Sequence, residues 1–347
     1  MPPSLQRFFE HHPHPAHDTA TLGARLQALV ADRLDRLPSP GRGQTLQRWH
    51  ALGLVAANDL GLCKLYEGHT DALAIMAELE ASPVLEGSTW GMWAAEPPSA
   101  RVRLSGPGAR VRLDGSKAWC SGAAVLSHAL ITAWDEEDRQ CLVAVALNQP
   151  GVSVTDQGWN AVGMAATASV EVRFEQAEAL RVGVPGDYLS RPGFWQGGIG
   201  IAACWYGAAQ RLGDRLLAHC EQRQEPHARA HLGAVDVALY GAACVLRDAA
   251  RQLDATPNDD AQLLARRCRG VVEHTVDVVL RHSTRALGAG PLCQEPVFAH
   301  LAADLPVYLR QSHAERDLAA LGTLLSHSPP SRQSSPGETA HRSAWPL

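Results

Sequence analysis

The sequence predicts an α+β protein in which a β region lies between two helical ones. Two changes of hydrophobic period and the length of the chain predict it. Apolar residues recur at helical spacing as far as about Leu85, alternate in the segments after Pro83, and return to helical spacing near Pro192. The chain has 347 residues, 46% of them hydrophobic, enough to bury a core spread over more than one layer. Several short strands in a row favour a central β barrel, because closing the sheet removes exposed strand edges.

The elements follow in order. Residues 1–18 are polar, proline-rich and histidine-rich, and are expected to be flexible. A helical region spans 19–88. Its first helix carries Leu22, Leu26, Leu29, Val30 and Leu34 on one stripe, and PSPGRGQ (Pro38 to Gln44) ends it. A second helix is expected over Leu46–Asn58, and a third from about Asp71, an acidic residue suited to a helix start. The β region spans 89–187. ARVRLSGPGARVRLDG reads as a hairpin about Ser105–Gly108, and HALITAW, CLVAVALN, GVSVTD and ASVEVRF supply further strands. The second helical region, 188–325, reads as a bundle. It has a small-residue-rich helix from about Pro192, one over His231–Leu253, one opening at NDDAQ with an acidic cap, and a last over Pro296–Leu325. Residues 326–347 are rich in Ser and Pro and are expected to be disordered.

Composition narrows the function classes. A net charge of -5 argues against a broad nucleic-acid surface. No signal-peptide pattern or apolar span is legible, so a cytoplasmic protein without a membrane span is expected. The eight cysteines form no CxxC pair and read as free thiols. His11, His12, His14 and His17 lack an accompanying Cys or acidic cluster, which favours an ordinary terminus over a metal site. Tyr66, Glu67, His69 and Asp71 fall where helices are expected to turn, with Glu67 as a helix cap and His69 as turn filling.

Five ordered segments carry chemistry. TWGMWAAEPP (Thr89 to Pro98) pairs Trp93 and Ala95 with a Glu-Pro turn. LDGSKAWCSGA offers a flat apolar wall in Trp119 and a donor in Ser121. GWNAVGMAATASVEVRF is a glycine turn running into a strand. RAHLG holds Arg229, whose guanidinium fork suits phosphate oxygens. RALGAGPL places Arg285 before Gly288 and Gly290, whose lack of side chains permits close backbone approach.

In this order the segments resemble landmarks of the acyl-CoA dehydrogenase superfamily, over about residues 20–325. The resemblance implies an acyl-CoA dehydrogenase-like fold with a helical N-terminal domain, a central β barrel and a C-terminal helical bundle. It implies FAD, with Trp93, Ala95, Trp119 and Ser121 beside the isoalloxazine. Arg229 then reaches the pyrophosphate across a subunit boundary, while Arg285, Gly288 and Gly290 lie near the dinucleotide. Departures are Ala95 for a threonine, Pro98 for a glycine, Ala165 for an arginine and Arg285 for a glutamine.

The activity implied first is hydride transfer from an acyl thioester such as acyl-CoA to flavin N5, in a homodimer or homotetramer served by an electron-transfer flavoprotein. That chemistry needs a carboxylate base. Aligning Asp304 on the family's Arg-Asp pair leaves Ser312 at the base position, with His313 beside it, and Glu315 needs a shifted register. Ser-His at this place is more similar to the flavin-dependent monooxygenase branch, whose members need a flavin reductase. A noncatalytic flavin-fold protein is the third reading.

Overall fold

A computed structural model describes residues 4–81 and 85–327 of the chain. Helix α1 (Leu5–His11) is capped by the Ser4 hydroxyl and buries Phe8 and Phe9, so this part of the segment expected to be flexible is folded. Helix α2 (Thr19–Ala31) starts at Asp18 and buries Leu22, Leu26 and Leu29 completely. Helix α3 (Thr45–Asn58) matches the second expected helix.

The third helix begins much earlier than expected. Helix α4 (Leu60–Glu78) is capped by Asp59, whose Oδ1 accepts the Leu62 N–H at 2.9 Å. Asp71 is therefore mid-helix, and Tyr66, Glu67 and His69 belong to the same helix rather than to a turn. An apolar stripe too continuous to signal a boundary hid this start. Leu60, Leu62, Cys63, Leu65 and Tyr66 are all buried.

Seven strands follow: β1 (Trp90–Trp93), β2 (Val102–Ser105), β3 (Arg110–Cys120), β4 (His128–Trp134), β5 (Gln140–Ala146), β6 (Val152–Val154) and β7 (Val170–Val182). Five of them close into a barrel in the order β4-β2-β3-β7-β5, with β5 pairing back onto β4. The hairpin at Ser105–Gly108 joins β2 to β3 as expected. β1 lies parallel beside β4, and β6 pairs with β7. Alternation fills the interior with residues such as Val111, Leu113, Val143, Val172 and Phe174.

The register of β3 slips between Lys117 and Cys120. A bulge of this kind re-aims a side chain. Here Lys117 and Cys120 stay buried while Trp119, at φ 58°, turns outward and is 53% exposed. The tryptophan precedes Cys-Ser-Gly-Ala because the strand has to break step to present it.

The remaining helices are α5 (Asp187–Ser190), α6 (Gly193–Gln222), α7 (Pro226–Ala255), α8 (Gln262–Leu287), α9 (Ala289–Gln294), α10 (Pro296–Tyr308) and α11 (Glu315–His327). Helix α8 begins without a side-chain cap at Ala261; Asp260 instead accepts the Gln262 N–H at 2.9 Å. The single last helix expected over Pro296–Leu325 is two helices, parted by a 3-10 turn at Leu309–Gln311 and extended backbone at Ser312. Ser326 and His327 finish α11, and the rest of the tail expected to be disordered lies outside the described residues.

Helix α6 crosses α3 so closely that a Cβ added to Gly207 would sit 2.2 Å from the Gly53 carbonyl oxygen. Among the described helices α7 alone is long and apolar enough to cross a membrane. In the fold it buries Val235, Ala242, Leu246 and Leu253 as one helix of the bundle. All eight cysteines are free, and Cys244 and Cys293 are exposed.

Candidate functional site

A cavity of about 810 Å³ opens between the barrel and the helices. That volume suits a ligand of the size of a planar cofactor ring with a small molecule beside it. Its two walls are built differently.

The barrel wall is aromatic and hydroxyl-bearing. Trp93, Ala95, Trp119 and Ser121 all line it. Ser121 Oγ meets Ser169 Oγ at 2.7 Å, Ser169 Oγ meets Thr167 Oγ1 at 2.9 Å, and Thr167 Oγ1 donates to the Met164 carbonyl at 2.8 Å. The Gly122 N–H donates to Thr167 O at 2.8 Å, fixing the end of β3 against the start of β7. Two of the sequence landmarks are therefore one structure.

A buried ion pair fixes the first landmark to the second. Lys117 is 1% exposed and its Nζ donates to Thr132 Oγ1 at 2.7 Å, Thr132 O at 2.9 Å and Glu96 at 3.2 Å. Glu96 also accepts from Thr132 Oγ1 and Trp134 Nε1, both at 2.5 Å. Burial lowers the lysine's pKa against the opposing pull of the glutamate. The retained Glu-Pro turn thus anchors Trp93 and Ala95 to the barrel.

The helical wall is charged. Lys64 pairs with Glu67 at 2.8 Å, Arg310 with Glu273 at 2.7 Å, and Arg266 with Asp317 at 3.1 Å. Arg269 donates to the carbonyls of Gly198 (2.7 Å) and Gln311 (3.0 Å) and lies over the Trp205 ring, and burial lowers its pKa. Ser312 and His313 sit in the break between α10 and α11, and both line the cavity. Ser312 is buried and donates to Glu273 Oε2 at 2.5 Å. The His313 side chain is 64% exposed, with Asp317 Oδ1 3.9 Å from its Nδ1. Asp304 does not reach the cavity; it accepts the Met164 N–H and so ties α10 to the Thr167–Ser169 segment.

The remaining predicted residues are elsewhere. Arg229, Arg285, Gly288 and Gly290 are exposed on α7, the end of α8 and α9, and none lines the cavity. The reading of the sequence missed Glu67 and Asp71, which project into the cavity from α4. Their spacing of four was the available signal, since residues one helical turn apart share a face. His69, by contrast, is structural, with Nε2 3.2 Å from Asp35 and Nδ1 accepting the Trp90 N–H at 3.2 Å. Among the described residues no cluster of three or more His, Cys, Asp or Glu side chains could hold a metal.

No family model matches the sequence, and no curated protein does. Solved structures do match. The dibenzothiophene monooxygenase TdsC from Paenibacillus sp. A11-2, solved with FMN and indole, superposes with a TM-score of 0.74 at 17% identity, over 92% of this chain and 94% of that one. Methanesulfinate monooxygenase MsuC from Pseudomonas fluorescens gives a TM-score of 0.74 at 19% identity, covering 94% of both chains. This chain has the acyl-CoA dehydrogenase fold. KijD3, solved with FMN and a dTDP-amino-keto sugar, shares it with a TM-score of 0.75 at 18% identity, over 93% of this chain and 90% of that one. The barrel bulge at Trp119 and the helical break at Ser312 are thus features of one cavity in this fold.

Proposed function

We propose that the chain is a flavin-dependent oxidoreductase that oxygenates a small organic substrate. The observation that carries this reading is the preformed cavity with an outward-turned Trp119 and a Ser121–Ser169–Thr167 hydroxyl chain on one wall. These residues fit an isoalloxazine. Trp93 and Trp119 supply flat apolar surface, and the hydroxyl chain supplies donors to its polar edge. The solved neighbours with FMN and small ligands support the same reading. When bound, a flavin supplies two-electron chemistry with dioxygen or, in the acyl-thioester reading, acceptance of a hydride.

The chain's own part is to orient and to exclude water. Glu96 and Lys117 hold the aromatic wall in place, and the ion pairs of the helical wall keep its charges satisfied next to a substrate. His313 sits at the rim, its side chain mostly exposed and its Nδ1 3.9 Å from Asp317 Oδ1. One observation favours the acyl-thioester alternative: Glu273 stands directly behind Ser312, at the place where a base is expected. Its carboxylate already accepts hydrogen bonds from both Ser312 and Arg310, so both of its oxygens are engaged. A cavity of this size supports a catalytic role over a noncatalytic one.

FAD, implied by the sequence resemblance, and FMN, named with the neighbours, share the ring this wall would hold. Titration of the purified protein with each flavin, followed by fluorescence, is expected to show binding in the micromolar range or tighter. No binding of either at tens of micromolar, with the fold intact, sinks the reading. Anaerobic bleaching of the holoprotein by acyl-CoAs would establish the dehydrogenase, whose acceptor would be an electron-transfer flavoprotein. Product formation with reduced flavin and oxygen would establish the oxygenase, whose partner would be a flavin reductase. A homodimer or homotetramer belongs to this proposal, and sedimentation equilibrium of the flavin-saturated protein tests it.

A further inference from the structure

Most charges of the helical wall cancel in pairs, and among its carboxylates there is one exception. Glu67, Glu273 and Asp317 each face a cation within hydrogen-bonding distance. Arg191 is taken by Glu78 at 2.7 Å. Asp71 accepts no hydrogen bond and forms no ion pair with any described residue. Its carboxylate is part-exposed, and the space it borders is the cavity. The cations that act on it do so from a distance. Arg191 is paired with Glu78, Lys64 with Glu67, and Arg48 is bound to the carbonyls of Pro38 and Thr70.

The surroundings of this carboxylate are aromatic and tight. The glycine at 197 makes room for it, because a Cβ there would lie 3.1 Å from Asp71 Oδ1. One turn earlier on α6, Phe194 makes edge contacts with Tyr188 (5.4 Å between centroids) and with Trp195 (5.1 Å). All three rings line the cavity. An unpaired carboxylate beside aromatic faces is the arrangement that binds an organic cation: the charge takes the ammonium, and the rings take its apolar body.

We propose that the substrate is an organic amine, bound through an N–H of its ammonium group to Asp71 and packed by its apolar part against Tyr188, Phe194 and Trp195. This deepens the oxygenase reading, on which it rests, by naming the substrate class of the same cavity. Arg269 is the one cation here without a carboxylate partner, and it would favour an anion instead. Two of its five N–H groups donate to the carbonyls of Gly198 and Gln311, and its guanidinium lies over the Trp205 ring, which turns it toward the protein. Burial raises the pKa of Asp71 against the pull of Arg191, so a bound cation relieves a desolvated charge.

The test uses full-length protein saturated with FMN and three probes of one shape: phenethylamine, phenethyl alcohol and phenylpropionate. Calorimetric titration at pH 7.5 is expected to rank them amine, alcohol, carboxylate, with the amine at least about tenfold tighter than the alcohol. Asp71→Asn is expected to abolish that preference while leaving alcohol and FMN affinities within about twofold. Equal binding of amine and alcohol, preference for the carboxylate, or a preference that survives in Asp71→Asn overturns the proposal. The ranking on the unaltered protein needs no variant, so a poorly folded Asp71→Asn does not blunt the test. If FMN fails to bind, the flavin reading falls by itself, and the same ranking on the apoprotein still decides the amine.

Discussion

The two walls of the cavity solve opposite problems. The barrel wall takes its functional groups from the ends of β1 and β3 and the segment leading into β7, and locks them with a buried ion pair and a hydroxyl chain. The helical wall draws on six helices and a break between two of them, from Lys64 to Leu318, and its charged groups are partly exposed. Strand-borne groups fixed from behind suit a cofactor that is always the same. Helix-borne groups, each held by one neighbour, suit a substrate that differs between relatives of one fold.

The largest expected effect is on the barrel side. Lys117→Met removes the buried cation and leaves Glu96 without it, and urea unfolding is expected to show a loss of about 3 kcal/mol. Arg310→Met, which breaks the half-exposed pair on the helical side, should cost under about 1 kcal/mol. Equal losses would erase the contrast between the walls.

Trp119 sharpens the contrast further. Its left-handed backbone costs a side-chain-bearing residue roughly 1 kcal/mol, a strain that glycine escapes. Trp119→Gly should therefore be more stable than Trp119→Ala by about 1 kcal/mol, the reverse of the usual order in a strand. Both should weaken flavin binding about tenfold by removing the ring. An alanine variant as stable as the glycine one would dissolve the strain argument, whatever its flavin affinity.

The smallest effect concerns residues outside both walls. Arg229→Ala should change FMN affinity by less than about twofold, because Arg229 is exposed on α7 and does not line the cavity. A selective drop in FAD affinity would mean that a second copy brings this arginine to the dinucleotide, as the sequence resemblance implies. Fluorescence titration of the variant with both flavins reads the difference.

How much could be read from the sequence follows the same division. Strands announce themselves by alternation, and the barrel-wall segments kept recognisable neighbours such as Glu96-Pro97 and Trp119-Cys120-Ser121. The helical wall offered only the Ser312-His313 pair, read by resemblance. Its residues meet only after α4, α6, α8 and α11 pack, and their pairing partners stand 3 to 113 positions away in sequence. The start of α4 was obscured because a nearly continuous buried stripe leaves no period to count. The single helix expected over Pro296–Leu325 carries Pro306 inside its first half and breaks at Leu309–Ser312, where local 3-10 geometry leaves no period to read. Asp71 was legible as an acidic residue but not as an unpaired one, since lack of a partner is a property of the assembled wall.

The crossing of α3 and α6 at Gly53 and Gly207 has a consequence for how such a cavity could be retuned. Any side chain at 207 must push α6 away from α3, since the obstacle is backbone and cannot rotate aside. Helix α6 also carries Phe194, Trp195 and Gly197, about 15 to 20 Å along its axis from that crossing. A library confined to position 207 would thus sample tilts of the helical wall as a rigid lever. It would alter ligand preference at a distance while every cavity-lining side chain kept its identity.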